Sequence, residues 1–215
     1  MSNTPKTNMI KQQIRSWGVT DETVIHLFET IDRARFVTKA HCDLAYADMN
    51  LPMAHGEEML SPKIQAKILD ALQIQKTETV LEVGTGNGFL TALLSHLAKQ
   101  VISVEFHRDI AALAAKNLAE QVCHNIDLEI GNAANGWKLV DPADLIVITG
   151  SLPFLPESFK ACLTPKGRIF AILGEGDAMR ATLIQRDGDH FTEHRLFETK
   201  IRPLMRAPEP ERFTF

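Results

Sequence analysis

The chain has 215 residues, 45% of them hydrophobic and 23% charged, which suits one globular domain with a sizeable core and excludes a disordered or fibrous chain. A formal net charge of −4 offers no broad basic face for a phosphate backbone, so nucleic acid is not an expected partner. No apolar run reaches transmembrane length and Met1–Lys11 lacks the apolar centre of a secretory signal, so no membrane association is expected and the cytoplasm is the expected location.

In chain order, Met9–Trp17 and Asp21–Ile31 read as two amphipathic helices, the second capped by Thr20 or Asp21. Arg33–Pro52 is loop-like, and Ser61–Leu72 is a further helix with Pro62 in its first turn. Residues 1–78 are thus expected to form a helical arm that folds onto the rest of the chain and covers the ligand site. From Thr79 onward, short apolar runs alternate with helical stretches, the pattern of parallel βαβ units. Strands are expected at Thr79–Val83, Val101–Glu105, Asp127–Ile130, Asp144–Ile148 and Arg168–Leu173, with helices at Phe89–Leu97, at Asp109–Val122 (capped by Asp109) and within Leu152–Leu163. Ala181–Arg186 and Phe191–Phe197 flank Asp187-Gly188-Asp189, a strong hairpin signal. The expected fold is α/β: a Rossmann-like, doubly wound, mainly parallel seven-stranded sheet over residues 79–205, an antiparallel C-terminal hairpin, the N-terminal arm, and an irregular tail at 206–215. Cys42, Cys123 and Cys162 are widely spaced and are expected to be small buried thiols in a reducing compartment. His190 and His194 fall in the hairpin rather than on a helix, and no metal site is expected.

The most informative run is Val80-Leu81-Glu82-Val83-Gly84-Thr85-Gly86-Asn87-Gly88-Phe89. An apolar strand ends in a carboxylate, three glycines turn the chain, and an amphipathic helix follows at once. The spacing is Gly-x-Gly-x-Gly rather than the dinucleotide Gly-x-Gly-x-x-Gly, and Glu82 is a poor neighbour for a pyrophosphate but a good one for a cation. S-adenosylmethionine, with ammonium and sulfonium charges, fits that preference. Glu105 closes the next apolar run 19 residues beyond Gly86, near the spacing of a ribose-binding acid. Glu82, Gly84, Thr85, Gly86 and Gly88 are therefore assigned to the cofactor, with Glu105 and the adjoining Phe106.

On these residues the chain resembles the protein-L-isoaspartate (D-aspartate) O-methyltransferase family over most of its length. Met9-Ile10 through Gln13 and Trp17-Gly18-Val19 resemble the family's first helix and turn, and Arg33-Ala34-Arg35-Phe36-Val37 its Pro-Arg-x-x-Phe-Val segment, with Ala34 and Arg35 departing in detail. Ala45-Tyr46-Ala47-Asp48 with Leu51-Pro52 is similar to its Ala-Tyr-x-Asp and Leu-Pro elements, and Leu81–Phe89 with Val104-Glu105 to its cofactor loop and ribose acid. Gly136-Trp137 and Asp144 keep the pattern; Ile201-Arg202-Pro203-Leu204 matches the late Val-x-Phe-Val-Pro-Leu segment in part. The resemblance implies methyl transfer from S-adenosylmethionine to the free carboxylate of isoaspartyl residues in damaged proteins or peptides.

Three departures bear on the site. The family's Gly-x-Thr-Ile-Ser-x-Pro is here Gly56-Glu57-Glu58-Met59-Leu60-Ser61-Pro62, so its serine, which the resemblance places among the donors to the substrate, becomes Leu60. Ser61 lies one position late, either as a displaced substrate residue or as the cap of the next helix. The family's Gly-Asp-Gly is Gly131-Asn132-Ala133; its aspartate faces the adenine amino group, and the amide oxygen of Asn132 can still accept there. Thr149-Gly150-Ser151 replaces Thr-Ala-Ala, and Gly150 widens the site. Glu57 and Glu58 either set negative charge against an anionic acceptor or point to solvent. His55 is read as a loop residue, with substrate contact the rarer alternative, and Tyr46 and Asp48 as scaffold or lid residues. Beside isoaspartyl methylation stand two competing readings motivated by Leu60 and Asn132: the same cofactor with another acceptor, and a cofactor-binding protein without catalysis. The sequence leaves the oligomeric state open.

Overall fold

The computed structural model describes residues 4–121 and 123–209. The arm opens with α1 (Pro5–Asn8), a π-helical turn at Met9–Ile14 and a 3-10 turn at Arg15–Trp17, which Gly18 ends in the left-handed region (φ 76°). The single helix expected over Met9–Trp17 is thus wound in two ways, which an apolar spacing spanning barely two turns does not distinguish. Helix α2 (Glu22–Thr30) starts where Asp21 accepts hydrogen bonds from the amides of Thr23 (2.8 Å) and Val24 (3.4 Å), and buries Val24, Ile25, Leu27 and Phe28. Two 3-10 turns, Arg33–Phe36 and Lys39–Leu44, lead to a small ribbon in which β1 (Leu51–Pro52) pairs antiparallel with β2 (Glu58–Met59). Helix α3 (Pro62–Leu72) comes next, with Ser61 at its cap position and Pro62 in its first turn.

The remainder alternates strand and helix: β3 (Thr79–Val83), α4 (Phe89–Leu97), β4 (Gln100–Glu105), α5 (Arg108–Ala119), β5 (Ile126–Ile130), β6 (Ala143–Leu152), α6 (Glu157–Ala161), β7 (Leu163–Leu173), β8 (Arg180–Asp187) and β9 (His190–Glu198). The seven strands run in the order β5-β4-β3-β6-β7-β8-β9, parallel except where β8 and β9 join antiparallel. Gly188 (φ 62°) and Asp189 make the two-residue turn between the paired residues Asp187 and His190. Helix α5 is capped by His107, not by Asp109, because the Glu105 carboxylate accepts from the His107 amide (3.0 Å) and fixes the turn two residues earlier. The expected end of that helix at Val122, and residues 210–215 of the tail, lie outside the described residues.

Two apolar clusters cover the sheet. One includes Leu81, Val104, Ile146, Phe159 and Ile169. The other is shared between sheet and arm: α4 is buried nearly all round, and Phe89 on it meets Phe28 and Phe36 of the arm edge to face, with ring centroids 5.7 and 5.2 Å apart. Among the described residues no helix is long and apolar enough to cross a membrane. All three cysteines are free; Cys42 is exposed rather than buried, because it sits on a 3-10 turn that sends no side chain into the core.

Candidate active site

The chain leaves β3 for β4 and β5 on one side and returns with β6 on the other. Ligands in open α/β sheets bind at the carboxyl ends of strands at such a switch point, and the main cleft lies there, enclosing about 910 Å³ with its open mouth included. Gly84 begins the turn at φ 95° with no Cβ, and one placed there would lie 2.2 Å from Thr149 Oγ1. That hydroxyl donates to the carbonyls of Val83 (3.0 Å) and Gly84 (2.7 Å), so β6 clamps the turn. Gly84, Thr85 and Gly86 line the cleft. Gly88 does not: it caps α4 and packs against Ala114 and Leu118.

Glu82, expected at the cofactor, does not reach the cleft either. Its side chain is fully buried beneath the turn and does not line the cleft, because the alternation of β3 sends it under the loop. Oε2 accepts from Thr91 Oγ1 and Ser103 Oγ, both at 2.6 Å, and Ser103 is joined in turn to Thr85 Oγ1 (2.6 Å). Oε1 is buried without a partner among the described residues. Burial pushes its pKa up to about 7 against these hydrogen bonds, which favour the carboxylate. Glu82 thus supports the turn from beneath and does not border the cleft.

Glu105 does line the cleft. Its oxygens accept from the amides of Gly86 (2.9 Å) and His107 (3.0 Å), leaving lone pairs free on both. Burial raises its pKa and the two amides oppose the shift. Phe106, Asn132 and Ala133 continue this wall; Asn132 Oδ1 accepts from the Ala134 amide (3.1 Å) and keeps its second lone pair. A backbone cradle without a Cβ, an acid with free lone pairs and an apolar wall fit a nucleoside with a charged tail.

The opposite wall comes from the segment 53–60 and from 201–205, joined to the sheet where the Ser151 amide donates to Arg202 O (2.9 Å) and the Leu204 amide to Ser151 O (3.0 Å). Leu60 faces the cleft and is 6% exposed. Ser61 does not line it; its hydroxyl is buried without a partner among the described residues and makes no cap bond, while its amide donates to Asn50 Oδ1 (2.9 Å). The displaced serine therefore does not reach the cleft. Buried Arg33 sets this register: it donates to the carbonyls of Ala45 (2.8 Å) and Leu60 (2.7 Å) and to Gln65 Oε1. Burial lowers its pKa to about 9. In the sequence Arg33 is legible as a motif residue, but no local pattern discloses a carbonyl 27 residues away.

Glu57 and Glu58 both border the cleft, Glu57 half-buried and Glu58 exposed. Glu58 accepts from Asn50 Nδ2 (3.1 Å), whereas Glu57 Oε1 lies 3.7 Å from His107 Nε2 and 3.9 Å from Arg202 Nε. His55, held at φ 58°, stacks on His107 with centroids 4.2 Å apart and planes 4° from parallel, and its Nε2 meets Asp109 at 2.8 Å. Ligand atoms of these two histidines and Asp109 lie within 4.8 Å of one another. The in-plane lone pairs of parallel rings do not converge, so this arrangement is a stacked brace between the segment and α5, not a formed metal centre.

A sequence model described as protein-L-isoaspartate(D-aspartate) O-methyltransferase matches residues 3–206. A protein-L-isoaspartate O-methyltransferase of Anaeromyxobacter dehalogenans is 35% identical over 194 residues, 89% of this chain and 93% of the relative. One from Koribacter versatilis is 32% identical over 200 residues, covering 93% and 90%. Among solved structures, a Plasmodium falciparum protein assigned to the same class and solved with S-adenosyl-L-homocysteine shares the fold with a TM-score of 0.80 at 18% identity, covering 96% of this chain and all of that one. The chain belongs to the protein-L-isoaspartate(D-aspartate) O-methyltransferase family.

Proposed function

We propose that the cleft at the β3/β6 switch point holds S-adenosylmethionine along the turn Gly84–Gly86, with the ribose against Glu105 and the adenine beside Asn132 and Ala133, and admits the acceptor between Leu60 and the 201–205 segment. As a family member the chain is an S-adenosylmethionine-dependent methyltransferase of isoaspartyl carboxylates. The observation that carries the site assignment is Glu105, whose carboxylate is fixed to the Gly86 amide at the cleft wall while lone pairs remain for hydroxyls.

When bound, S-adenosylmethionine would supply an electrophilic sulfonium methyl to the acceptor oxygen, with the sulfide as leaving group. A carboxyl with a pKa near 4 is already ionised at neutral pH, so no general base is asked of the chain. Its residues have to align the acceptor and exclude water, and alignment of this kind supplies roughly 7–11 kcal/mol. Thr149 and the Glu82 network fix the turn, Glu105 orients the nucleoside, and Leu60 closes the cleft with an apolar surface. The three free cysteines suit a reducing compartment, and we place the reaction in the cytoplasm, on protein or peptide substrates.

Titration with S-adenosylhomocysteine tests the assignment. Glu105→Ala should weaken binding roughly tenfold or more, the scale of hydrogen bonds to a charged group. Unchanged affinity in a folded variant would remove Glu105 from the cofactor site.

A further inference from the structure

The acceptor of this reaction is an anion, yet the cleft it must approach is bordered by half-buried Glu57, with exposed Glu58 at its edge, and offers Leu60 where a hydroxyl donor would help. Among the described residues, Arg202 is the one lysine or arginine lining the cleft. Its backbone is fastened to the buried Ser151 at the end of β6, so the base of the side chain is fixed by the sheet. From there the guanidinium crosses to the 53–60 segment and lies against Gly56. A Cβ on Gly56 would sit 3.2–3.3 Å from three guanidinium atoms, and that glycine holds φ 72°. The approach is therefore open because residue 56 has no side chain.

The head group is positioned, and among the described residues no carboxylate hydrogen-bonds it. Among the described residues its nearest acid, Glu57, stands 3.9 Å from Nε, beyond hydrogen-bond reach, and the side chain is 48% exposed. Five N–H donors in a planar fork match a carboxylate's geometry, and there are enough of them to serve Glu57 and a second carboxylate together. We infer that Arg202 receives the free carboxylate of the acceptor, holding it through one oxygen while the other faces the methyl, and that this guanidinium makes an anionic acceptor compatible with Leu60, Glu57 and Glu58. The inference rests on the reading of this cleft as the methyl-transfer site.

Two peptides separate the outcomes: one with an isoaspartyl residue, and the same peptide with a carboxamide in place of the free carboxylate. Binding is measured with S-adenosylhomocysteine saturating, so that nothing turns over. The wild type should prefer the acid roughly tenfold or more, the worth of a charge-assisted pair. Arg202→Ala should bind both peptides alike while keeping its melting temperature and S-adenosylhomocysteine affinity, and Arg202→Lys should restore part of the preference, since a point charge replaces the fork. An Arg202→Ala protein that keeps the wild-type preference overturns the role of Arg202 and leaves the reading of the cleft intact. A wild type that binds S-adenosylhomocysteine but neither peptide overturns that reading, and the inference with it.

Discussion

Glu82 holds its proton more tightly in the folded protein than in the unfolded chain, because burial lifts its pKa from 4.5 to about 7. Its stabilising contribution is complete below about pH 4.5, declines as the carboxyl ionises, and is gone above about pH 7. The whole effect is on the order of 3 kcal/mol, since one unit is worth about 1.4. Glu82→Gln does not titrate, so the melting temperature of the variant minus that of the wild type should climb between pH 4.5 and 7 and level off above. A difference independent of pH would contradict the buried, proton-holding Glu82. The same residue shows where reading single residues ends. Its type and its place before the glycine turn are legible, but its direction is not: the neighbouring Gly84 faces the cleft while Glu82 lies under the loop among Thr91 and Ser103. Ser61 and Leu60 repeat the lesson, since one residue of register decides which of the two meets the cleft.

Among the elements, the turn from β3 into α4 and the acid closing β4 are legible because a βαβ unit is local: glycines, alternation and a spacing of 19 residues all fall inside one short window. The turn's rigidity comes from outside that window, through Thr149 on β6. Gly84→Ala should therefore do two things, both readable by thermal unfolding and S-adenosylhomocysteine titration. It sets a Cβ 2.2 Å from Thr149 Oγ1 and forces an alanine to φ 95°, at a cost of about 1–3 kcal/mol. It also loosens the cradle, so affinity should fall along with stability. A variant equal to wild type in both would show that the clamp is dispensable. The opposite wall is not legible in the sequence. Strands β1 and β2 have two residues each, too few for any period, and their segment takes its course from Arg33, from Asn50 and from the stacked His55 and His107. Asp109, read as a helix cap, instead pairs with His55.

Across the fold, the order of seven strands places the glycine turn at the point where the chain reverses direction across the sheet, and the C-terminal hairpin extends the sheet away from the cleft. Periodicity conveys that architecture because each parallel strand is a short apolar run and each crossover a helix. What periodicity does not convey is how the arm joins: Phe28 and Phe36 close on Phe89 of α4, so the arm and the sheet share one apolar cluster beside the cleft. This assembly is expected to methylate isoaspartyl carboxylates although Leu60 and Asn132 stand where the family has serine and aspartate. Transfer of a tritiated methyl group from S-adenosylmethionine to an isoaspartyl peptide, beside the same peptide with normal aspartate, decides the matter. Label should reach the isoaspartyl peptide alone and be released as methanol by mild base, as a carboxyl ester requires. Equal labelling of both peptides, base-stable label, or no label from a protein that binds S-adenosylhomocysteine would contradict that activity.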